Sequence, residues 1–138
     1  MHTDTLQYGF ATTLDVPFDE AVRRTRAALA SQGFGVAAEI DMAATFREKL
    51  GTSFRPYVIL GACNPALAQR ALDADLNIGL LLPCNVVVYA GDDGGTSVVA
   101  ALDPERQMQL AGGGEGGVLA PIAHEAAERL RRAMSALE

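Results

Sequence analysis

Two apolar runs, Cys84 to Ala90 and Ser97 to Leu102, flank the segment Asp92-Asp93-Gly94-Gly95. Both runs have strand length and are rich in valine, and the segment between them supplies the chemistry of a tight reversal. A hairpin pairs its strands antiparallel, whereas parallel neighbours need a crossover of a dozen or more residues. Any sheet built on this hairpin therefore cannot be wholly parallel, and that narrows the fold more than any other feature of the chain.

The segments before the hairpin alternate between strand and helix character. Leu6 to Leu14 reads as a strand with Leu6, Tyr8, Phe10, Thr12 and Leu14 on one face. Pro17 takes a first helical position, followed by an apolar stripe through Phe18, Ala21, Val22, Thr25, Ala28 and Leu29, and Gln32-Gly33 stops the helix. A short strand runs from Phe34 to Ile40. Asp41 caps a second helix, Met42 to Leu50, which Gly51 ends.

A strand from Tyr57 to Ala62 leads into Asn64-Pro65, a cap followed by proline at the first helical position, and then a helix to Asp73. Leu76 to Pro83 reads as a loop or extended run. Beyond the hairpin, Asp103-Pro104 ends the strand and Arg106 to Met108 can form a helical turn. Gly112 to Gly117 reads as a connector. The last helix starts near Pro121 and turns Ile122, Ala126, Leu130, Ala133 and Leu137 toward the core. The predicted order is βαβαβαββα, a single α+β domain over residues 1–138 with a mixed or antiparallel sheet covered by helices.

Composition excludes several functions. A net charge of −6 argues against nonspecific nucleic-acid binding, which needs a basic face to displace counterions. The longest uncharged apolar stretch, Leu76 to Ala90, is interrupted by Asn77, Gly79, Pro83 and Asn85, so no membrane span is expected. The first residues lack a basic region followed by an apolar core, and the expected compartment is the cytoplasm, where two cysteines remain thiols.

Those cysteines carry the chemistry. Each begins a Cys-Asn pair, Cys63-Asn64 closing one apolar run and Cys84-Asn85 opening another. They lie 21 residues apart, too far for local ligand spacing. If the strands they mark ran parallel, the thiols would sit at opposite ends, roughly 20 Å apart. If the strands are antiparallel, the thiols share one end of the sheet. The apolar character of Leu76 to Pro83, unusual for a free surface loop, favours the second arrangement. Cys63, just before a helix N-terminus, has the setting of a reactive thiol, while packing as a small apolar residue is the commoner role of a free cysteine.

Residues from Leu60 to Pro104 also carry a family pattern. Leu60-Gly61-Ala62-Cys63-Asn64-Pro65, Gly79-Leu80-Leu81-Leu82-Pro83-Cys84-Asn85-Val86 and Asp103-Pro104 resemble the domain of unknown function 302 family, as do Asp41, Lys49-Leu50-Gly51 and Phe54-Arg55-Pro56-Tyr57. The resemblance implies a small single-domain α+β fold, often a homodimer, and no activity or catalytic residue. The Gly112 run lies outside that pattern.

Two functions follow from these residues. The first is non-catalytic binding of a small ligand or soft metal ion near Cys63, Asn64, Cys84 and Asn85, with Lys49 and Arg55 as anion contacts. Two thiolates suit copper(I), with Met108 as a weak third donor. A zinc site would need His124, since His2 sits beside the terminus, and no cofactor is specified. The alternative is a thiol-dependent redox or sulfur-handling enzyme with Cys63 as nucleophile and Cys84 as resolving thiol. A purely structural module, with both cysteines in the core, is the third possibility.

Overall fold

The computed structural model describes residues 3–110 and 117–138. Six strands form one sheet: β1 (Asp4–Thr5), β2 (Gly9–Leu14), β3 (Gly35–Asp41), β4 (Tyr57–Cys63), β5 (Cys84–Ala90) and β6 (Ser97–Leu102). Their spatial order is β1-β2-β6-β5-β4-β3, and every pairing is antiparallel. Among the described residues five α-helices accompany them: α1 (Phe18–Ser31), α2 (Met42–Leu50), α3 (Pro65–Ala74), α4 (Pro104–Leu110) and α5 (Leu119–Ser135).

The hairpin forms where its turn residues place it. Asp93 Oδ1 accepts from Thr96 Oγ1 at 2.8 Å and from the amides of Gly95 and Thr96 at 3.1 Å, while Gly94 takes a φ of 71°. Those bonds hold the Asp93 carboxyl below the usual carboxylate range, the Thr96 hydroxyl contributing most. Asp41 caps α2 by accepting from Ala44 N at 2.9 Å, and Gly51, at φ 67°, ends it in the left-handed region.

Three expectations need correction. The first strand is shorter than Leu6 to Leu14: Leu6 N donates to Gly9 O at 2.7 Å, and the resulting turn separates β1 from β2. Leu6 and Tyr8 are consequently exposed, while Phe10, Thr12 and Leu14 keep the buried face. Leu76 to Leu81 is a 3-10 helix, neither loop nor extended, initiated by Asp75 accepting from Asn77 N at 3.0 Å. Pro17 caps α1 from outside instead of beginning it. The predicted connector from Gly112 to Gly117, all but Gly117, and the terminal His2 lie outside the described residues.

The core lies between one face of the sheet and helices α1 and α5. Alternation sends Val58 and Leu60, Val86 and Val88, and Val99 to that face, and registers Leu60↔Val86 and Val88↔Val99 align them across the strands. Leu29 of α1 and Leu130, Ala133 and Met134 of α5 pack onto them. Polar groups in this layer are paired: Thr25 Oγ1 donates to Ala21 O at 2.7 Å and Ser97 Oγ to Val16 O at 2.9 Å. Among the described residues no buried side-chain polar atom lacks a partner.

The opposite face is different. Ile59, Val87, Val98 and Ala100 point there, are only half-buried, and α2 covers one end of the face. At that end Tyr57 and Tyr89 stack at 5.4 Å, and Phe54 links them to Phe46 on α2. Burial, then Tyr89 and Tyr8, push the Tyr57 hydroxyl up. No helix among the described residues is long and apolar enough to cross a membrane.

Leu130 is fully buried between α5 and the sheet, whereas Leu80 is 87% exposed. Leu130→Ala is expected to lower unfolding free energy by ~2–5 kcal/mol in a urea titration, and Leu80→Ala to change it by less than about 0.5 kcal/mol. Equal effects would mean that α5 does not close the core.

Candidate functional site

Strand β4 ends at Cys63, and the chain then turns sharply into α3. The turn is built by Asn64, whose Oδ1 accepts from Leu67 N at 3.1 Å, and by Pro65 at the start of the helix. Strand β5 begins at Cys84, and the register pairs Ala62 with Cys84. The two cysteines therefore share one end of the sheet, as the antiparallel arrangement requires. The segment connecting them, α3 and the 3-10 helix, folds back beside that end.

Between the sheet end and the helices lies a cavity of about 250 Å³. Ala62, Cys63, Asn64 and Cys84 line it from the sheet side. Leu67 and Ala71 of α3, Ile78 of the 3-10 helix, and Ile122 and Ala126 of α5 form its main wall, a hydrophobic cluster separate from the central core. Helix α5 contributes to both clusters, Ile122 and Ala126 to this one and Leu130, Ala133 and Met134 to the central core. Gln107 and Met108 of α4 line the remaining side.

Among the described residues the lining contains no charged side chain. Its non-hydrocarbon groups are the two thiols, the Met108 thioether and the amides of Asn64 and Gln107. Asn64 spends its carbonyl oxygen on the helix cap. Gln107 lies half-buried, and its side-chain amide makes no hydrogen bond among the described residues. Burial pushes the Cys84 thiol up to about 11, with Cys63 adding to the shift, so Cys84 is a neutral thiol at pH 7. Both cysteines are free thiols.

Gly61, next to Ala62 and Cys63 on β4, makes room for Pro83. A methyl group at Gly61 would come within 2.7 Å of Pro83 Cγ, so the absent side chain lets Pro83 seat against β4 just before Cys84. The Leu82-Pro83 peptide is cis.

Of the six residues singled out in the sequence, Cys63, Asn64 and Cys84 meet at this cavity. Asn85 pairs with Gly61, is exposed, and faces the other side of the sheet from Cys84. Arg55 sits at the far end of β5, donating to Ala90 O at 3.0 Å and to Asp92 Oδ1 at 3.1 Å. The length of β5 separates it from Cys84, roughly 20 Å. Lys49 lies exposed in the last turn of α2, where its charge complements the helix C-terminus. His124 is exposed beside Glu105 and Glu128, at 3.2 and 3.5 Å, and does not line the cavity. No group of three or more His, Cys, Asp or Glu side chains among the described residues could hold a metal ion. Gln107 escaped the sequence reading because α4 has only seven residues, too short for a periodic signal to mark its inner side.

The chain and its fold can be compared with known proteins. No curated protein matches the chain. The crystal structure of an uncharacterized conserved protein DUF302 from Bacillus stearothermophilus is similar throughout: TM-score 0.84, 28% identity, with 96% of this chain and 100% of that chain covered. The family model for the domain of unknown function DUF302 matches residues 10–137. With nearly its whole length matched by that model, the chain belongs to the DUF302 family.

Proposed function

We propose that this domain is a non-catalytic receptor that takes a small ligand into the cavity bounded by Cys63, Asn64 and Cys84, and that it works as a homodimer. The cavity itself carries the proposal: about 250 Å³ of space walled by buried apolar side chains, with a few polar groups on one side, has the character of a ligand pocket. An apolar cavity of ~150 Å³ takes up benzene, so toluene is a suitable probe. Titration with toluene is expected to move the amide resonances of Ala71, Cys84 and Ala126 saturably, and Ala126→Leu, which fills the space, to abolish the shift. Absence of any saturable change in the wild-type protein would contradict the proposal. A soft cation such as copper(I), held by the two thiols and the Met108 thioether, is the competing occupant.

The part of the outer sheet face that α2 leaves uncovered supports the homodimer. Antiparallel strands with one solvated face normally alternate apolar and polar residues, yet β4, β5 and β6 send Ile59, Val87, Tyr89, Val98 and Ala100 outward. The outward positions of these three strands carry no charge, which favours a like surface over a charged partner. Those three strands, ~4.8 Å apart and ~20 Å long, project roughly 300 Å², so the ~800 Å² per partner of a standard interface also draws on side-chain relief and on the neighbouring strands β2 and β3. Light scattering is expected to give a dimer for the wild type and a folded monomer for Val87→Lys. A monomeric wild type at high micromolar concentration would refute this.

One observation favours a thiol-dependent redox or sulfur-handling reaction instead, with Cys63 attacking and Cys84 resolving: the two thiols share one sheet end. Against it stands the protonated state of Cys84. Because the folded-state value lies near 11 against an ordinary 9.0, the native protein holds this proton after the unfolded chain has lost it. Stability conferred by Cys84 is thus complete below pH 9 and falls as the pH rises toward 11, by ~2–3 kcal/mol at most. Relative to Cys84→Ala, wild-type unfolding free energy is expected to decline across this window; parallel curves would show that Cys84 is not buried as described.

A further inference from the structure

Resting on the proposal that the cavity binds a ligand, we infer that it selects an uncharged apolar molecule of about ten heavy atoms with one hydrogen-bonding group, such as a hydroxyl or carbonyl, met by the Gln107 amide. The size follows from volume: ~150 Å³ suits the six heavy atoms of benzene, and this cavity has about 250 Å³. The charge follows from the walls. An ion entering them would lose its hydration and find no countercharge among the described lining residues, a cost of several kcal/mol in such surroundings.

The charged groups on the neighbouring elements either pair with one another or, like Asp73 and Arg106, are exposed, and none of those described lines the cavity. Arg129 donates to Glu125 and to Gln32 O at 3.2 Å each, and Arg70 donates to Glu125 at 3.3 Å. Asp103, although buried beside Pro104, accepts from Glu105 N at 2.9 Å and lies 3.6 Å from Arg131. Neither thiol supplies a strong partner, since the lining cysteines offer at most weak donors and acceptors. Gln107 is different. Its amide offers both a donor and an acceptor, and neither is used within the described chain. A hydroxyl or a carbonyl can therefore pair with it without leaving a buried group unsatisfied.

Three eight-carbon probes test this on the full chain at pH 7.4: 1-octanol, octanoate and octylammonium, read by calorimetry and thermal shift, with toluene as a headless control. Octanol is expected to bind at least tenfold tighter than either ion. Gln107→Leu is expected to weaken octanol about three- to tenfold, the loss of one hydrogen bond, while leaving toluene unchanged. Gln107→Glu, at a half-buried position where a carboxylate is tolerated, is expected to turn the preference toward octylammonium. Octanoate or octylammonium binding as tightly as octanol in the wild type would overturn the inferred ligand class. Unchanged octanol affinity in Gln107→Leu would overturn the role of Gln107. Toluene binding with no preference among the probes would refute this inference alone, whereas failure of toluene as well would remove the cavity-binding proposal beneath it.

Discussion

The antiparallel register of β4 against β5 governs the functional end of this molecule. With Ala62 opposite Cys84, the last residue of one strand and the first of the next lie together. The 20 residues between them must leave and return on the same side. They do so as a capped helix and a 3-10 turn, and neither can bury its apolar side against the sheet centre, which α1 and α5 already occupy. That side meets α4 and the N-terminal half of α5 instead, forming a second hydrophobic cluster. The cavity is the gap between that cluster and the sheet end, so its position follows from strand pairing before any side chain is chosen.

Side chains then determine what the gap can hold. Asn64 caps α3 and so fixes where Cys63 ends β4. Gly61 leaves room for Pro83, which delivers the chain into β5 at Cys84. The charged residues of α3 and α5 pair with one another at the surface, as Arg70 and Arg129 do with Glu125. These exposed pairs add little stability; their consequence is that the lining stays neutral. Burial among apolar groups also keeps Cys84 protonated.

Much of this was legible in the sequence because it rests on local chemistry. The Asp92 to Gly95 turn, the Asp41 and Asn64 caps and the Gly51 terminator act within a few residues, and each forms where its residue types place it. The meeting of Cys63 and Cys84 was legible only through the choice of antiparallel topology. What failed was non-local or too short to be periodic. Leu6 and Tyr8 alternate correctly with Phe10, but a turn closed by Gly9 removes them from the core. Leu76 to Pro83 is apolar enough for a strand, yet Asp75 starts a 3-10 helix there. Asn85, Lys49 and Arg55 sit close to the cysteines in family pattern, while tertiary structure sends them to another face or the opposite end.

Two apolar surfaces thus compete for a hydrophobic molecule, the cavity and the open sheet face, and locating a bound probe separates them. The most direct measurement is the set of nuclear Overhauser contacts between the terminal methyl of bound 1-octanol and the protein's methyl groups. Contacts to Ala71, Ile122 and Ala126, residues that line the cavity, are the expected result. Contacts to Ile59, Val87 and Val98 would place the ligand on the outer face of the sheet and contradict the account.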